Sequence, residues 1–235
     1  ARTDRAPVLL IWPGSLFGGG GNFGVPQILS IAGVCRRAGA EVDVVDLDLE
    51  RAFGPIDLAA LVRRRPHYDL VGISCYSSYD YLKVMALGEQ LRRLLPTAWL
   101  VTGGYHASAR PQDFGGDPSA TSGPAHSPFD FTIVGDGELP MKRLVEALHS
   151  GRKPLMSILG PEAVPDPGAL DPVDWELLRR YQPIARQVAS QAEIYLSRGC
   201  PYDCAFCMER AKRDVSWRSL EPERAIEELH RLDSF

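Results

Sequence analysis

Apolar, mostly β-branched residues gather in short runs at 8–12, 42–45, 70–74, 99–102 and 131–134, each too short for a helix and each bounded by polar or glycine-containing stretches. Between these runs, at 26–37, 56–65, 79–95 and 139–149, apolar residues recur three or four positions apart with Arg, Lys or Glu between them. That is the period of a helix with one buried face. The alternation predicts a doubly wound α/β domain over residues 1–150, with five parallel strands covered by helices on both faces.

The pattern changes after residue 150. Pro154, Pro161, Pro165, Pro167, Pro172 and Pro183 forbid long regular elements across 151–190, which reads as an ordered interdomain connection. Within it Asp174, Trp175, Leu177 and Leu178 offer a short apolar turn able to dock on a neighbour. In 191–235 a strand is expected at 192–196, then a cysteine loop, then an amphipathic helix over 221–232 with Pro222 near its first position. One β-loop-α unit cannot bury its own faces, so this part is expected to be the beginning of a second domain that the chain does not complete.

Composition narrows the function classes. With 45% hydrophobic and 24% charged residues over 235 positions, there is apolar material for one large domain or one domain plus part of another. No run approaches the roughly 20 apolar residues of a membrane span, and the N-terminus lacks a signal-peptide pattern, so no membrane partner and a cytoplasmic location are expected. Net charge is −4 and arginines such as Arg63, Arg64 and Arg65 are scattered along helix-like segments, which argues against nucleic acid as a partner. Cys35, Met85 and Phe53 read as core residues, and His67 as a surface residue on the wrong edge of the sheet.

Three of the five cysteines fall within eight residues, in the run Ser197-Arg198-Gly199-Cys200-Pro201-Tyr202-Asp203-Cys204-Ala205-Phe206-Cys207. A disulfide framework would spread an even set, so this cluster suggests metal. Three thiolates can hold three irons of a cubane and leave one coordination position open, as a catalytic metal requires. The alternative is a zinc site completed by a distant residue, but zinc sites usually present two ligand pairs, and His230 has no partner at ligand spacing. Arg198 and Arg213 read as solvated charges rather than as groups tuning a cluster.

This C-x3-C-x2-C run, with an aromatic before its last cysteine and a strand ahead of it, resembles the signature loop of radical S-adenosylmethionine enzymes. The resemblance implies a 4Fe-4S cluster on Cys200, Cys204 and Cys207, with S-adenosylmethionine on the open iron and cleaved to a 5′-deoxyadenosyl radical. It implies an adenine contact at Phe206, an electron donor such as flavodoxin or ferredoxin, and the first unit of a partial TIM barrel in 191–235.

Ligands of open α/β sheets bind beyond the carboxyl ends of the strands. The loop after the first run, Pro13 to Gly21, lacks the G-x-G-x-x-G of a nicotinamide dinucleotide site. The third run ends in Ser74, Cys75, Tyr76 and Ser77, the fourth in Gly103, Gly104 and Tyr105, the fifth in Gly135, Asp136, Gly137 and Glu138. Paired glycines either admit a bulky ligand close to the backbone or merely form a tight turn, and Asp136 or Glu138 could be a plain helix cap.

At successive strand ends ahead of a cysteine loop, these residues resemble the cobalamin-binding domains of cobalamin-dependent radical S-adenosylmethionine enzymes, whose sheet is Rossmann-like or flavodoxin-like. The resemblance implies cobalamin contacts at Ser15, Phe17, Ser74, Cys75, Tyr76, Ser77, Gly103, Gly104, Tyr105, Gly135, Gly137 and Glu138. The D-x-H-x-x-G of other cobalamin domains is missing, so the lower face of cobalt is expected to meet Tyr76, Cys75 or water. His106, more simply a locally bonded helix-start residue, is an outside candidate. The activity implied is methyl transfer to an unactivated carbon of a small molecule or peptide. The alternatives are a radical cyclisation, ring contraction or rearrangement with the same cofactors, and, in another class, a non-catalytic corrinoid or zinc protein.

Overall fold

The computed structural model describes residues 5–14, 22–115, 126–189, 191–207, 209 and 216–235. Six parallel strands form the central sheet: β1 (Ala6–Trp12), β2 (Ala40–Asp46), β3 (Leu70–Ser74), β4 (Trp99–Gly103), β5 (Phe131–Gly135) and β6 (Ile158–Glu162). Their order across the sheet is β2-β1-β3-β4-β5-β6. The doubly wound α/β class expected from the sequence is therefore correct. Its chain reversal falls between β1 and β3, which opens a crevice at their carboxyl ends.

The inner strands are mainly apolar because both faces are covered, whereas the edge strand β2 carries Glu41 and Asp43. One face packs under α1 (Pro26–Arg37) and α4 (Glu138–Ser150), burying Leu10, Leu70, Val101, Phe131, Met141 and Leu144. The other packs under α2 (Tyr81–Leu94), burying Leu9, Ile11, Val71, Val84, Leu91 and Leu100. A short α3 (Tyr105–Ala109) follows β4 directly. Cys35 is core, as expected, and Met85 packs partly buried on the second cluster.

Several expectations need correction. The sheet has six strands rather than five, because the short β6 comes from the proline-rich stretch, where no long regular element is expected. Among the described residues it pairs only with β5, with a register shift between Ile133 and Gly135, and an edge strand tolerates Pro161 because one side of its ladder needs no partner. The helix expected over 56–65 shrinks to Leu58–Val62, started by Asp57, whose side chain accepts from the Ala60 N–H. Phe53 is 47% exposed, its ring covered by the Arg180 guanidinium 4.5 Å away instead of by core. The strand expected at 192–196 is only Gln191–Ala192, which runs parallel to Asn22–Phe23.

The connection docks as expected. A 3-10 segment, Trp175–Ile184, buries Trp175, Leu178 and Tyr181 in the first core cluster, and Trp175 stacks on Phe23. Tyr181 donates to Glu50 Oε1 at 2.7 Å, while Arg180 and Arg64 donate to the same carboxylate. A final helix, α5 (Pro222–Ser234), lays Leu232 against that cluster and leaves Ile226 and Leu229 half exposed. No helix of the described residues is long and apolar enough to cross a membrane.

Candidate functional site

A cavity of about 270 Å³ lies at the carboxyl edge of the sheet, where the chain reversal of the topology leads one to look. Its floor is apolar, made by Leu10, Ile28, Val101, Ile133 and Met141. The loops after β3, β4 and β5 bring Ser74, Tyr76, Gly103, Gly104, Tyr105, Gly135, Gly137 and Glu138 together on its walls. The opposite wall is Tyr195, Ser197, Arg198 and Gly199, the residues immediately ahead of Cys200, with Glu209 just beyond Cys207. The cavity thus lies between the sheet edge and the cysteine segment.

The two glycines after β4 have different reasons. Gly104 sits at φ +107°, and a Cβ there would lie 2.7 Å from the Cys75 carbonyl oxygen, so the turn itself excludes any side chain. Gly103 has no such constraint: a Cβ would meet Ile133 at an ordinary 3.5 Å. What its missing side chain leaves open is the cavity wall. Gly135, at φ +82° with the Glu162 backbone against it, belongs with Gly104. Ser108 ties these turns together, donating to Gly104 O at 2.8 Å and accepting from the Gly135 N–H at 3.0 Å.

Other predicted residues stand apart. Cys75 is wholly buried in the second core cluster, with its Sγ 3.6 Å from the Ser77 carbonyl; burial, with a contribution from Asp80, pushes its thiol pKa up to about 12. Ser77 caps the short turn that follows, accepting from the Tyr79 N–H at 3.2 Å. His106 is buried, with Ser78 Oγ 2.8 Å from Nδ1, while Nε2 makes no hydrogen bond among the described residues although Asp113 lies 3.3 Å away. The locally bonded helix-start reading therefore describes it. His67 is on the surface, its side chain half exposed. Ser15 and Phe17 lie outside the described residues, as does Arg213.

Tyr76 anchors an aromatic wall. Its ring meets Trp12 edge-on at 5.9 Å and Tyr105 at 5.0 Å, and Tyr105 donates to Glu209 Oε1 at 2.5 Å. Tyr195 backs onto Arg198, whose guanidinium lies 5.5 Å from the ring centre.

Neither Asp136 nor Glu138 caps α4, whose first turn carries no side-chain cap. Asp136 accepts instead from the Val164 N–H at 2.8 Å, and Glu138 accepts from Ser30 Oγ at 2.7 Å. Glu138 also receives Arg198 Nη2 at 2.5 Å, and Arg198 Nη1 stands 3.6 Å from Asp136. Arg198 is not the solvated charge expected: its side chain is only 11% exposed. Burial alone would lower its pKa, but the facing Glu138 and Asp136 carboxylates overcome this and raise it, so it stays charged.

The cysteine segment begins at Ser197–Arg198, paired antiparallel with Arg218–Ser219, so the two stems of the loop meet. Gly199 turns at φ +77°, and the Cys207 N–H donates to the Cys204 carbonyl at 3.0 Å, closing a tight turn. Cys200 and Cys207 are half-buried and Cys204 is exposed; Phe206 is 91% exposed beside them. Among the described residues no three His, Cys, Asp or Glu side chains converge on a point that would hold a single ion. A cubane makes a different demand, since each thiolate binds its own iron at a separate corner.

The fold and this site define an α/β domain with a ligand cavity at its carboxyl edge, joined directly to a cysteine loop. The B12 binding domain family model matches residues 24–145, from the start of α1 to within α4. The chain is 28% identical to the hopanoid C-3 methylase of Methylococcus capsulatus, covering 86% of this chain and 39% of that protein. It is 30% identical to the anaerobic magnesium-protoporphyrin IX monomethyl ester cyclase of Synechocystis, covering 86% of this chain and 41% of that one. The solved radical S-adenosylmethionine methyltransferase TsrM of Kitasatospora setae superposes with a TM-score of 0.68 at 19% identity, over 97% of this chain and 45% of its own. The chain belongs to the B12-binding domain family. It spans less than half the length of these relatives.

The cavity fits a corrinoid on the observations already made: an apolar floor, a wall opened by Gly103 without any backbone requirement for glycine, and aromatic rims. The donor set of the cysteine loop, three thiols and no fourth, fits a cubane with one open corner.

Proposed function

We propose that the chain carries the cobalamin site and the cluster loop of a methyltransferase acting on an unactivated carbon of a small molecule or peptide. The observation that carries this reading is the placement of one glycine-walled cavity between the sheet's carboxyl edge and the residues that lead into Cys200. When bound, the cluster, S-adenosylmethionine and cobalamin would together supply a carbon-centred radical and a transferable methyl group.

The chain's own residues prepare the site. Ser74, Tyr76, Gly103, Gly104, Tyr105, Gly135 and Gly137 shape the cobalamin wall; the apolar floor excludes water from it. With Cys75 buried in the core, Tyr76 on the cavity wall or a water would meet the cobalt. Cys200, Cys204 and Cys207 would hold the cluster and Phe206, exposed beside them, would stack on adenine. Electrons would come from a one-electron donor such as flavodoxin or ferredoxin.

The test is anaerobic reconstitution of the full-length protein followed by turnover with methyl-labelled S-adenosylmethionine. About four irons and four sulfides per chain, retained cobalamin and labelled product are expected; stoichiometric zinc would overturn the cluster assignment. The Synechocystis relative, a cyclase by name, favours a second reading in which the same cofactors drive ring formation, and an unlabelled product would select it.

A further inference from the structure

The acidic pair that follows β5 lines the cavity and meets the cysteine segment there. Glu138, 1% exposed, spends one oxygen on Ser30 and Arg198; Asp136, 8% exposed, faces Arg198 at 3.6 Å and Arg218 at 3.7 Å. Arg198 and Arg218 are partners in the two-residue ladder that closes the loop carrying all three clustered cysteines. Two carboxylates of the sheet domain therefore hold both stems of one loop, and Ser30 ties α1 to the same carboxylate. Both arginine side chains are almost buried, at 11% and 13% exposure. In such surroundings an ion pair is screened little by salt, and losing one partner strands the other charge.

We propose that Asp136 and Glu138 are positioning residues, which clamp the stems of the cysteine loop through Arg198 and Arg218 and so fix the separation of cluster and corrin. A surface ion pair would give no such definition, since exposed pairs hold their geometry weakly. Four groups, two on each side, leave the loop no rotation about a single contact. The distance matters because electron and group transfer between two cofactors depends on how far apart the protein holds them. The inference rests on the proposed cluster and cobalamin sites for its purpose, but the clamp itself is a property of the chain.

Two measurements separate those layers. Hydrogen exchange of the full-length protein reads the clamp with no cofactor present. Arg198→Glu and Glu138→Arg each should raise exchange of the 199–207 amides at least about tenfold, while the double swap returns them toward the parent rate, because it restores opposite charges across the same gap. Glu138→Gln, which keeps the shape, should give a smaller rise in the same segment should either swap fail to fold. Amides of β3 and β4 serve as the folding control. Parent-like exchange in every single variant, or a double variant no better than either single one, overturns the clamp. In the reconstituted protein, magnetic coupling between reduced cluster and cob(II)alamin should report one narrow distance, broadened in Glu138→Gln; an unbroadened distance in that variant overturns the positioning role. Absence of iron and cobalamin from the parent protein would instead defeat the functional reading and leave the exchange result to decide the clamp.

Discussion

The sheet domain and the cysteine segment solve burial in opposite ways. Strands β1 and β2 exchange seven residues of ladder, and two apolar clusters fill both faces of the sheet. The cysteine segment has two-residue ladders, and Tyr202, Phe206 and Trp217 are 73%, 91% and 61% exposed. The first region holds its own shape through apolar area removed from water, the second through charged contacts borrowed from the first. Substitutions should therefore act through packing in one region and through geometry in the other.

The largest difference is expected from Leu100→Ala or Leu144→Ala, both completely buried, which should each cost about 2–5 kcal/mol in chemical denaturation. Next comes the glycine pair. Gly104→Ala should destabilise by about 1–3 kcal/mol, since its φ is unfavourable for any side chain and the Cys75 carbonyl is in the way. Gly103→Val should leave the unfolding midpoint nearly unchanged and weaken cobalamin retention on gel filtration; unchanged retention would remove Gly103 from the site.

Asp46 gives a smaller, pH-dependent effect. Burial raises its carboxyl pKa to about 7, against about 3.9 in an unfolded chain. The native state then binds the proton more strongly, so stability falls as pH rises from about 4 to about 7 and levels off above. Asp46→Asn, which can still accept the Asp48 and Leu49 N–H groups, should flatten that slope, with a gain on the order of 1 kcal/mol at pH 8 and little change at pH 4. Urea titrations at the two pH values check it. Smallest of all, Trp217→Ser should stay within about 0.5 kcal/mol of the parent protein. A large loss there would mean that the cysteine segment has a core of its own.

The strands of the sheet and the cysteine spacing could be read from the chain because each is a local pattern. β1, β3, β4 and β5 are mainly apolar runs, β2 is apolar apart from Glu41, Asp43 and Asp46, and three thiols in eight residues admit few meanings. β6 was hidden because Gly160 and Pro161 interrupt the alternation, and only its place at the sheet edge makes them tolerable. Arg198 was misjudged because its partners lie 60 residues back in Glu138 and further still in Ser30, a separation that leaves no periodic trace. Phe53 was assigned to the core from hydrophobicity alone, without the arginine that shields it. Gly103 and Gly104 look alike in the sequence, and only the neighbouring strand distinguishes them.

The parallel pairing of Asn22–Phe23 with Gln191–Ala192 joins the stretch after β1 to one that follows the whole central sheet. During synthesis, Asn22–Phe23 must therefore wait with its backbone edge unfilled until Gln191–Ala192 has left the ribosome. The sheet can condense early on neighbouring contacts, whereas the docking of the cysteine segment follows it. A cofactor able to reach the sheet edge in that interval would meet an open face, before the second region comes down on it.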